Sequence, residues 1–404
     1  MLKAKGNLVV GQSGGPTAVI NCSLVGVIEE SRSRSEIGSV LGLVNGVQGA
    51  LNETFIDLGS QPRTVLDGLL QTPASALGSC RLKLAPPDYE RIYQVFRAHN
   101  VRYFLYIGGN DSMDTALQVE ALARLKNYDL QVIGIPKTID NDLECTHHCP
   151  GYGSAARYIA HTVLDTAADL RAMRTFMQVY VLEVMGRNAG WLAAAASLAN
   201  RPNKDLPLVL CLPEEPFDPA RFLARVAEVQ KAFGCVLVVA SQGIRVASDE
   251  AAPNSGSAIA TDSFGHKIGF GVGNYLTGLI RAELGFTCRW DMPGSIQRAS
   301  MACVSNVDQM EAREVGRAAV RRVAEGKSGY MVTLERSPDS PYECTTSIAK
   351  LSDVANRERL LPSEFIGTFG VTPAFRAYAE PLLGASLPGH ACLEPLLIPS
   401  KEPR

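Results

Sequence analysis

Short apolar segments alternate with longer helix-like stretches along most of the chain, and this alternation constrains the fold most strongly. The apolar segments occupy residues 7–11, 102–108, 130–136, 177–184, 207–213 and 235–241. Helical patterns cover residues 18–30, 112–125, 154–170, 189–199 and 219–233. Continuous apolar runs separated by helices are typical of parallel strands that are buried on both faces. We therefore predict an α/β fold with mostly parallel sheets.

Length and charge exclude several classes of protein. A chain of 404 residues can form two or three domains, and 46% hydrophobic with 20% charged residues is typical of a globular protein. The net charge of −2 offers no basic surface for nucleic acid. No apolar run approaches the roughly 20 residues that cross a bilayer, and the first residues lead directly into a strand. We expect a cytoplasmic protein that binds neither nucleic acid nor membranes.

The loop "ECTHHCPGYG" contains Cys145, His147, His148 and Cys149, which are residue types that bind zinc. Zinc sites usually take their ligands from separated segments, and one short loop rarely surrounds the ion. The other cysteines are scattered, several of them inside apparent strands. We therefore interpret the ten cysteines as reduced, mostly buried thiols.

Three polar segments lie where a predicted strand ends. They are "GQSGGPTAVIN" (11–21), "IGGNDSMDTA" (107–116) and "PKTIDND" (136–142). Glycine turns and helix N-termini bind anions through backbone N–H groups, although the same residues also serve as ordinary turns and helix caps. Neither glycine segment has the spacing of a P-loop or of a dinucleotide-binding fingerprint. Three such junctions in one chain favour a single site that binds phosphate groups.

The segment "PKTIDND" has the residues that phosphoryl transfer requires. Asp140 and Asp142 are two residues apart and face the same side of an extended chain. One carboxylate can accept a proton from a hydroxyl group while the other helps to bind Mg²⁺. Lys137 adds positive charge that can stabilise a phosphoryl group during transfer.

Together, "PKTIDND", "GGNDSMDTA", "EVMGRNAGW" (183–191) and "PGSIQRAS" (293–300) resemble the phosphofructokinase family. The similarity extends from "SGGPTAVIN" to "VANRERLLP" (354–362). It implies two Rossmann-like three-layer lobes with mostly parallel sheets and an active site in the cleft between them. The first lobe would hold residues 1–150 and about 297–330, the second residues 151–296, and residues 331–404 would pack on both.

The resemblance also indicates the phosphoryl donor. Family members that use pyrophosphate have aspartate and lysine at the positions of Asp111 and Lys137, whereas members that use ATP have glycines there. Asp111 would repel the α-phosphate of a nucleotide, and Lys137 would neutralise the smaller pyrophosphate. The implied reaction is the reversible, Mg²⁺-dependent transfer from pyrophosphate to the 1-hydroxyl group of fructose 6-phosphate, a step of glycolysis.

The resemblance assigns a role to each matching position. Asp140 corresponds to the general base, and Lys137 and Asp111 act with it at the reacting centre. Pyrophosphate would contact Gly14, Arg81 and Lys137, and the metal would bind Asn110 and Asp142. The sugar phosphate would contact Thr138, Ile139, Asp140, Met185, Gly186, Arg187, Gln242, Arg289, Ser295 and Arg298. Arg289 would reach in from a neighbouring subunit, which implies a homodimer or homotetramer.

Four positions depart from the commonest form of the family. Asn110 replaces a metal-binding aspartate, Gln242 a glutamate, Ser295 a histidine or tyrosine, and Gln178 an arginine. These differences leave two alternatives open. One is a different acceptor, such as sedoheptulose 7-phosphate, and the other is a catalytically silent relative that binds sugar phosphate as a regulator. The presence of the Asp140 base argues against the silent relative.

Overall fold

A computed structural model describes residues 5–200, 206–244, 260–261, 267–268, 271–338 and 341–391, together with residues 393 and 398. The strands are β1 (Gly6–Gln12), β2 (Ile37–Leu43), β3 (Phe55–Asp57), β4 (Val101–Gly108), β5 (Gln131–Pro136), β6 (Val179–Val184), β7 (Leu208–Cys211), β8 (Val236–Ser241), β9 (Ala260–Thr261), β10 (Lys267–Ile268), β11 (Cys288–Asp291), β12 (Tyr330–Arg336), β13 (Cys344–Lys350), β14 (Ile366–Gly367) and β15 (Gly370–Val371).

The helices connect and cover these strands. They are α1 (Ile20–Ser31), α2 (Val47–Leu51), α3 (Arg63–Leu69), α4 (Pro86–Ala98), α5 (Asn110–Leu125), α6 (Tyr152–Met173), α7 (Trp191–Ala195), α8 (Pro219–Phe233), α9 (Val272–Leu284), α10 (Ile296–Ala299), α11 (Asn306–Ala324), α12 (Leu351–Val354) and α13 (Pro373–Ala379). In the described part of the chain, 3-10 helices span Ala196–Ala199, Ser363–Phe365 and Glu380–Leu383.

The first sheet has the strand order β13-β12-β5-β4-β1-β2-β3. Its inner strands are parallel, and only the edge strands β13 and β3 are antiparallel to their neighbours. Alternate side chains of each inner strand enter two separate cores: in β1, Leu8 and Val10 pack toward α1 and α11, and Val9 packs toward α4 and α5. This first lobe therefore has three layers, helices on both faces of a parallel sheet.

The second sheet, β11-β6-β8-β7, is parallel throughout. Its strand β8 shows the same alternation, since Leu237 and Val239 face α6 and α7 while Val236 and Val238 face α8 and α9. The predicted α/β fold of two Rossmann-like lobes is confirmed. Among the described residues, no helix has the length and apolar character needed to cross a bilayer.

All six predicted strands are present, as β1, β4, β5, β6, β7 and β8. The helix predicted over residues 189–199 is divided into α7 and a 3-10 helix, and α5 begins at Asn110, two residues before the predicted start. The sequence did not indicate β12 and β13, yet both belong to the first sheet because β12 pairs in parallel with β5. We therefore propose that the first lobe extends to residue 350, into the segment expected to pack on both lobes.

Helices α1 and α11 cross closely enough that only glycine fits at the contact. A Cβ atom on Gly26 would lie 2.0 Å from Arg313 O, and one on Gly316 would lie 2.1 Å from Ser23 O. The backbones of the two helices therefore touch without intervening side chains. This contact fixes α1, whose N-terminus follows the glycine turn of segment 11–21.

We expect Gly26→Ala to destabilise the protein, because the added methyl group meets a backbone carbonyl that has no free rotation. The free energy of unfolding should fall by about 1–3 kcal/mol, as for other overpacked cores, and urea titration measures it. Gly278→Ala in α9 is the matched control, because no atom lies within 4 Å of its added Cβ. The control should stabilise the helix by up to about 1 kcal/mol. Equal effects of the two changes would contradict the close crossing.

Candidate active site

A cleft of about 510 Å³ lies where the carboxyl ends of β1, β4 and β5 face those of β6 and β8. This is the edge at which open α/β sheets bind ligands. The structure brings most of the predicted site residues to this cleft. They are Gly14, Arg81, Asn110, Asp111, Lys137, Thr138, Ile139, Asp140, Asp142, Met185, Arg187, Gln242 and Arg298.

Three predicted site residues do not line the cleft of their own chain. Gly186 is buried and forms the turn between Met185 and Arg187, with φ at 117°. Arg289 is exposed on β11, the edge strand of the second sheet, and Ser295 is exposed just before α10. Roles for Arg289 and Ser295 in the chain's own cleft have no support from this placement.

The glycine turn after β1 lies against the buried amino group of Lys137. Lys137 is only 3% exposed, and its Nζ donates a hydrogen bond to Gly15 O at 2.8 Å. A side chain at Gly14 would begin 3.2 Å from that Nζ, and the φ of Gly14 is +73°, which favours glycine. Ser79 Oγ donates to Gly14 O at 2.6 Å, and this bond holds the segment that carries Arg81 against the same turn.

Three cations surround this turn. A Cβ on Gly15 would lie 3.0 Å from Arg298 Nη1, so the guanidinium group lies on the turn itself. Burial and the nearby charge of Arg81 lower the pKa of Arg298. Burial, assisted by Arg298 and Arg81 and opposed by Asp142 and Asp140, lowers the pKa of Lys137 to about 8. The turn is therefore a positively charged site that can bind a small anion.

The carboxylates of Asp140 and Asp142 line the same cleft as these cations. Burial, followed by the charge of Asp142, raises the pKa of Asp140 to about 7. Burial also raises the pKa of Asp142, against a hydrogen bond from Thr138 that lowers it. An aspartate whose pKa is close to neutral is suited to accept a proton as a general base.

Several buried oxygen atoms in the described part of this region lack hydrogen-bond partners and could bind a ligand. Among the residues that the structure describes, Asn110 Oδ1, Asp140 Oδ1 and Asp142 Oδ1 are buried and have no hydrogen-bond partner. Asn110 Nδ2 donates to Arg357 O, and this bond directs the amide oxygen away from that carbonyl. Unpartnered buried oxygens are costly unless a ligand satisfies them, and these are the hard donors that Mg²⁺ prefers.

The loop that carries the two aspartates is held by a residue from the C-terminal segment. The guanidinium group of Arg359 donates to Asn141 O through Nε at 3.1 Å and Nη2 at 2.7 Å, and lies 4.8 Å from the centre of the Trp191 ring. Asn141 adopts a left-handed conformation with φ at 56°, and its Nδ2 donates to Tyr378 Oη at 2.8 Å. The positions of Asp140 and Asp142 thus depend on residues more than 200 positions later.

Among the cleft residues that the sequence analysis did not assign are Asn188, Asn356 and Glu358. Asn188 Nδ2 donates to Glu358 Oε2 at 2.8 Å, and this bond joins the second lobe to the C-terminal segment across the cleft. The charge of Glu358 contributes to the raised pKa values of Asp140 and Asp142. Asn188 lies within "EVMGRNAGW" and Glu358 within "VANRERLLP", so the family resemblance already covers both positions.

Comparison with known proteins gives consistent matches. The phosphofructokinase family model matches residues 7–323. A pyrophosphate–fructose 6-phosphate 1-phosphotransferase from Xanthomonas campestris pv. campestris (strain B100) is 44% identical over 391 residues, which cover 95% of this chain and 93% of the relative. One of the same name from Methylococcus capsulatus is 44% identical over 395 residues, with 95% and 93% coverage.

A solved structure has the same fold. The pyrophosphate-dependent phosphofructokinase from Nitrosospira multiformis superposes with a TM-score of 0.87 at 39% identity, over 98% of this chain and 96% of that one.

We expect Asp140→Asn to stabilise the protein at alkaline pH. Folding raises the pKa of Asp140 from 3.8 to about 7. Ionised Asp140 is therefore unfavourable in the folded protein, and the free energy of unfolding falls as the pH rises from 3.8 to about 7. Asparagine cannot ionise, so its gain in free energy of unfolding should be roughly 2 kcal/mol larger at pH 8 than at pH 5. Urea titration at both pH values measures this gain. The exposed Asp129→Asn is the control, and a pH-independent gain at Asp140 would contradict the raised pKa.

Proposed function

The chain belongs to the phosphofructokinase family, and we propose that it transfers a phosphoryl group reversibly from pyrophosphate to the 1-hydroxyl group of fructose 6-phosphate. The products are fructose 1,6-bisphosphate and phosphate. The observation that carries this proposal is that Asp111 and Lys137 line the same cleft as the glycine turn. Relatives that match almost the whole chain bear the name of this activity.

The charges of Asp111 and Lys137 favour pyrophosphate over ATP as the donor. Asp111 lies in the first turn of α5 and lines the same cleft as the anion-binding turn. By the family resemblance, its carboxylate would occupy the place of a nucleotide's α-phosphate. Two negative groups held a few ångströms apart in a partly dry site repel each other by several kcal/mol. Lys137 supplies a fixed positive charge to pyrophosphate, which has no nucleoside to add binding energy.

Asp140 acts as the general base. Its Oδ1 has no hydrogen-bond partner among the described residues, so it can accept the proton of the sugar hydroxyl as that oxygen attacks the phosphorus. Lys137, Arg298 and Arg81 stabilise the negative charge of the transferring phosphoryl group from the side of the glycine turn. Phosphoryl transfer depends mainly on such positioning and charge stabilisation.

We propose Mg²⁺ as the cofactor, held by Asp142 with Asn110. Their buried oxygens form an all-oxygen donor set with one negative charge, which fits a magnesium ion that keeps water and phosphate oxygens as its other ligands. When bound, Mg²⁺ neutralises charge on the phosphate oxygens. The amide at Asn110 contributes no charge, so Asp142 has the larger share in binding.

The sugar phosphate occupies the side of the cleft formed by the second lobe. Thr138 and Ile139 extend from the first lobe, and Met185, Arg187 and Gln242 follow β6 and β8. Glutamine can still donate to or accept from a sugar hydroxyl, so the change from glutamate at Gln242 is compatible with this substrate.

We propose that Arg289 completes the sugar-phosphate site of a neighbouring subunit. Its exposure on an edge strand supports this role, as does its absence from the cleft of its own chain. The protein would then be a homodimer or homotetramer. We further propose that it acts in the cytoplasm, because both substrates are highly charged phosphates that do not cross membranes unaided.

The different sugar-phosphate acceptor and the silent regulatory relative have less support than transfer to fructose 6-phosphate. The relatives reported above are named for fructose 6-phosphate and give no support to sedoheptulose 7-phosphate as the main acceptor. A silent regulatory subunit would have no need to keep Asp140 beside Lys137 in a costly buried arrangement.

We expect the double variant Asp111→Gly with Lys137→Gly to lose donor preference. Removal of the repelling carboxylate and of the amine should lower kcat/KM for pyrophosphate by about 10²-fold or more and make ATP a measurable donor. Initial rates with each donor at saturating fructose 6-phosphate and Mg²⁺ measure this. The size-matched Asp111→Asn variant removes only the charge and should retain most pyrophosphate activity. An unchanged donor ratio in the double variant would refute the charge argument.

The pH dependence of kcat/KM should reveal the base. Because Asp140 must be ionised, kcat/KM should fall about tenfold per pH unit below its pKa of about 7. Asp142→Asn removes a like charge, so the acid limb should move to lower pH although the overall rate also falls. The substrates titrate identically in both assays, so a difference between the two profiles belongs to the protein. Coincident acid limbs would contradict Asp140 as the base.

A further inference from the structure

Outside the cleft, His148, Glu311 and Cys344 bring three kinds of metal-binding atom together. An imidazole nitrogen, a carboxylate oxygen and a sulfur lie within 4.8 Å of one another. His148 is in the loop after β5, Glu311 is on α11, and Cys344 is the first residue of β13. Ligands from separated segments are the usual composition of a protein zinc site.

The imidazole of His148 and the carboxylate of Glu311 lie close to the separation of two ligands on a tetrahedral ion. His148 Nε2 lies 2.7 Å from Glu311 Oε2, and His148 is 1% exposed. Two ligands bound at about 2.1 Å in a tetrahedral site are roughly 3.4 Å apart. The His148–Glu311 pair would therefore need to separate by less than about 1 Å to admit the ion.

Neighbouring side chains already hold the ligands in orientation. His148 Nδ1 lies 2.9 Å from His147 Nδ1, so the second ring nitrogen has a partner. Tyr342 Oη donates to Glu311 Oε1 at 2.6 Å, and the other carboxylate oxygen, Oε2, faces His148. Metal-binding histidines and carboxylates usually have such outer partners, which fix the ligand and raise its affinity.

We propose that His148, Glu311 and Cys344 form a site for Zn²⁺, separate from the magnesium site of the cleft. Nitrogen and sulfur donors favour zinc over Mg²⁺, which prefers oxygen ligands alone. A thiolate and a carboxylate together balance the two positive charges of the ion, and Cys344 releases its thiol proton to solvent on binding. The nearby Arg336 is engaged elsewhere, donating to Ala377 O and Tyr378 O and lying over the ring of Tyr342.

The loop "ECTHHCPGYG" therefore supplies one ligand rather than four. Cys149 is buried in the core of the first lobe, as expected from the sequence, whereas Cys145 is exposed and lies 4.0 Å from Asp353 O. Neither cysteine belongs to the group of ligand atoms. The proposed ligands that join His148 come from distant parts of the chain.

An ion at this site would stabilise the loop that carries the catalytic aspartates. Cys149, the residue after His148, donates its backbone N–H to Asn141 Oδ1 at 2.9 Å. Asn141 lies between Asp140 and Asp142. The zinc site would thus tie the aspartate loop to α11 and β13.

Cobalt is a suitable probe because Co²⁺ occupies zinc sites and its bond to a thiolate absorbs light. Tag-free protein is treated with a chelator, exchanged into buffer with excess Mg²⁺ and no phosphate compound, and titrated with Co²⁺. We expect about one equivalent bound per chain, with a thiolate-to-cobalt charge-transfer band that Zn²⁺ abolishes. Cys344→Ser should lose the band, and the matched control Cys145→Ser should retain it.

Two further variants distinguish loss of a ligand from loss of folding, and circular dichroism would detect a folding defect in any variant. Glu311→Gln should raise the Kd for Co²⁺ at least tenfold, and Tyr342→Phe, which removes only the outer hydrogen bond, should raise it about 10–100-fold. The proposal is wrong if the wild-type protein shows no charge-transfer band at one equivalent. It is equally wrong if the band persists in Cys344→Ser or if Glu311→Gln binds Co²⁺ as tightly as the wild type.

Discussion

The cost of keeping a lysine and two aspartates out of water is the constraint on which the rest of the structure depends. Burial lowers the pKa of Lys137 and raises the pKa of Asp140 and Asp142, so the ionised form of each group is less favourable in the folded protein than in water. Their mutual attraction offsets part of this cost, and ligands that carry both phosphate and metal charges offset more. The buried charges therefore lower the stability of the protein when no ligand is bound, a cost that is often found at functional sites.

The protein places the supporting interactions outside the cleft, where they do not compete with ligands. Arg359 bonds the backbone of the aspartate loop and lies on Trp191, and Tyr378 bonds the side chain of Asn141. Backbone bonds of this kind fix the loop and leave Asp140 Oδ1 and Asp142 Oδ1 without hydrogen-bond partners among the described residues. The C-terminal segment thus adds rigidity to the candidate active site.

The sequence was most informative where the determinants are local. Strands β1, β4, β5 and β8 carry continuous apolar runs, and the cleft residues that follow them occupy short segments with distinctive composition. Prediction failed for features that depend on contacts between residues far apart in the sequence. The polar edge strand β13 has no apolar run, Glu358 is close to the aspartates only after the chain returns from the second lobe, and no spacing relates His148 to Cys344.

The strand order of the first sheet has a consequence for synthesis on the ribosome. The edge of β5 is covered by β12, and the face of α1 by α11, both of which follow the complete second sheet in the chain. During synthesis, the first lobe therefore keeps an unpaired strand edge and an exposed apolar helix face until translation has passed residue 336. The later-made second lobe can finish its own sheet first, so chaperones would be needed most by the part of the nascent chain that leaves the ribosome earliest.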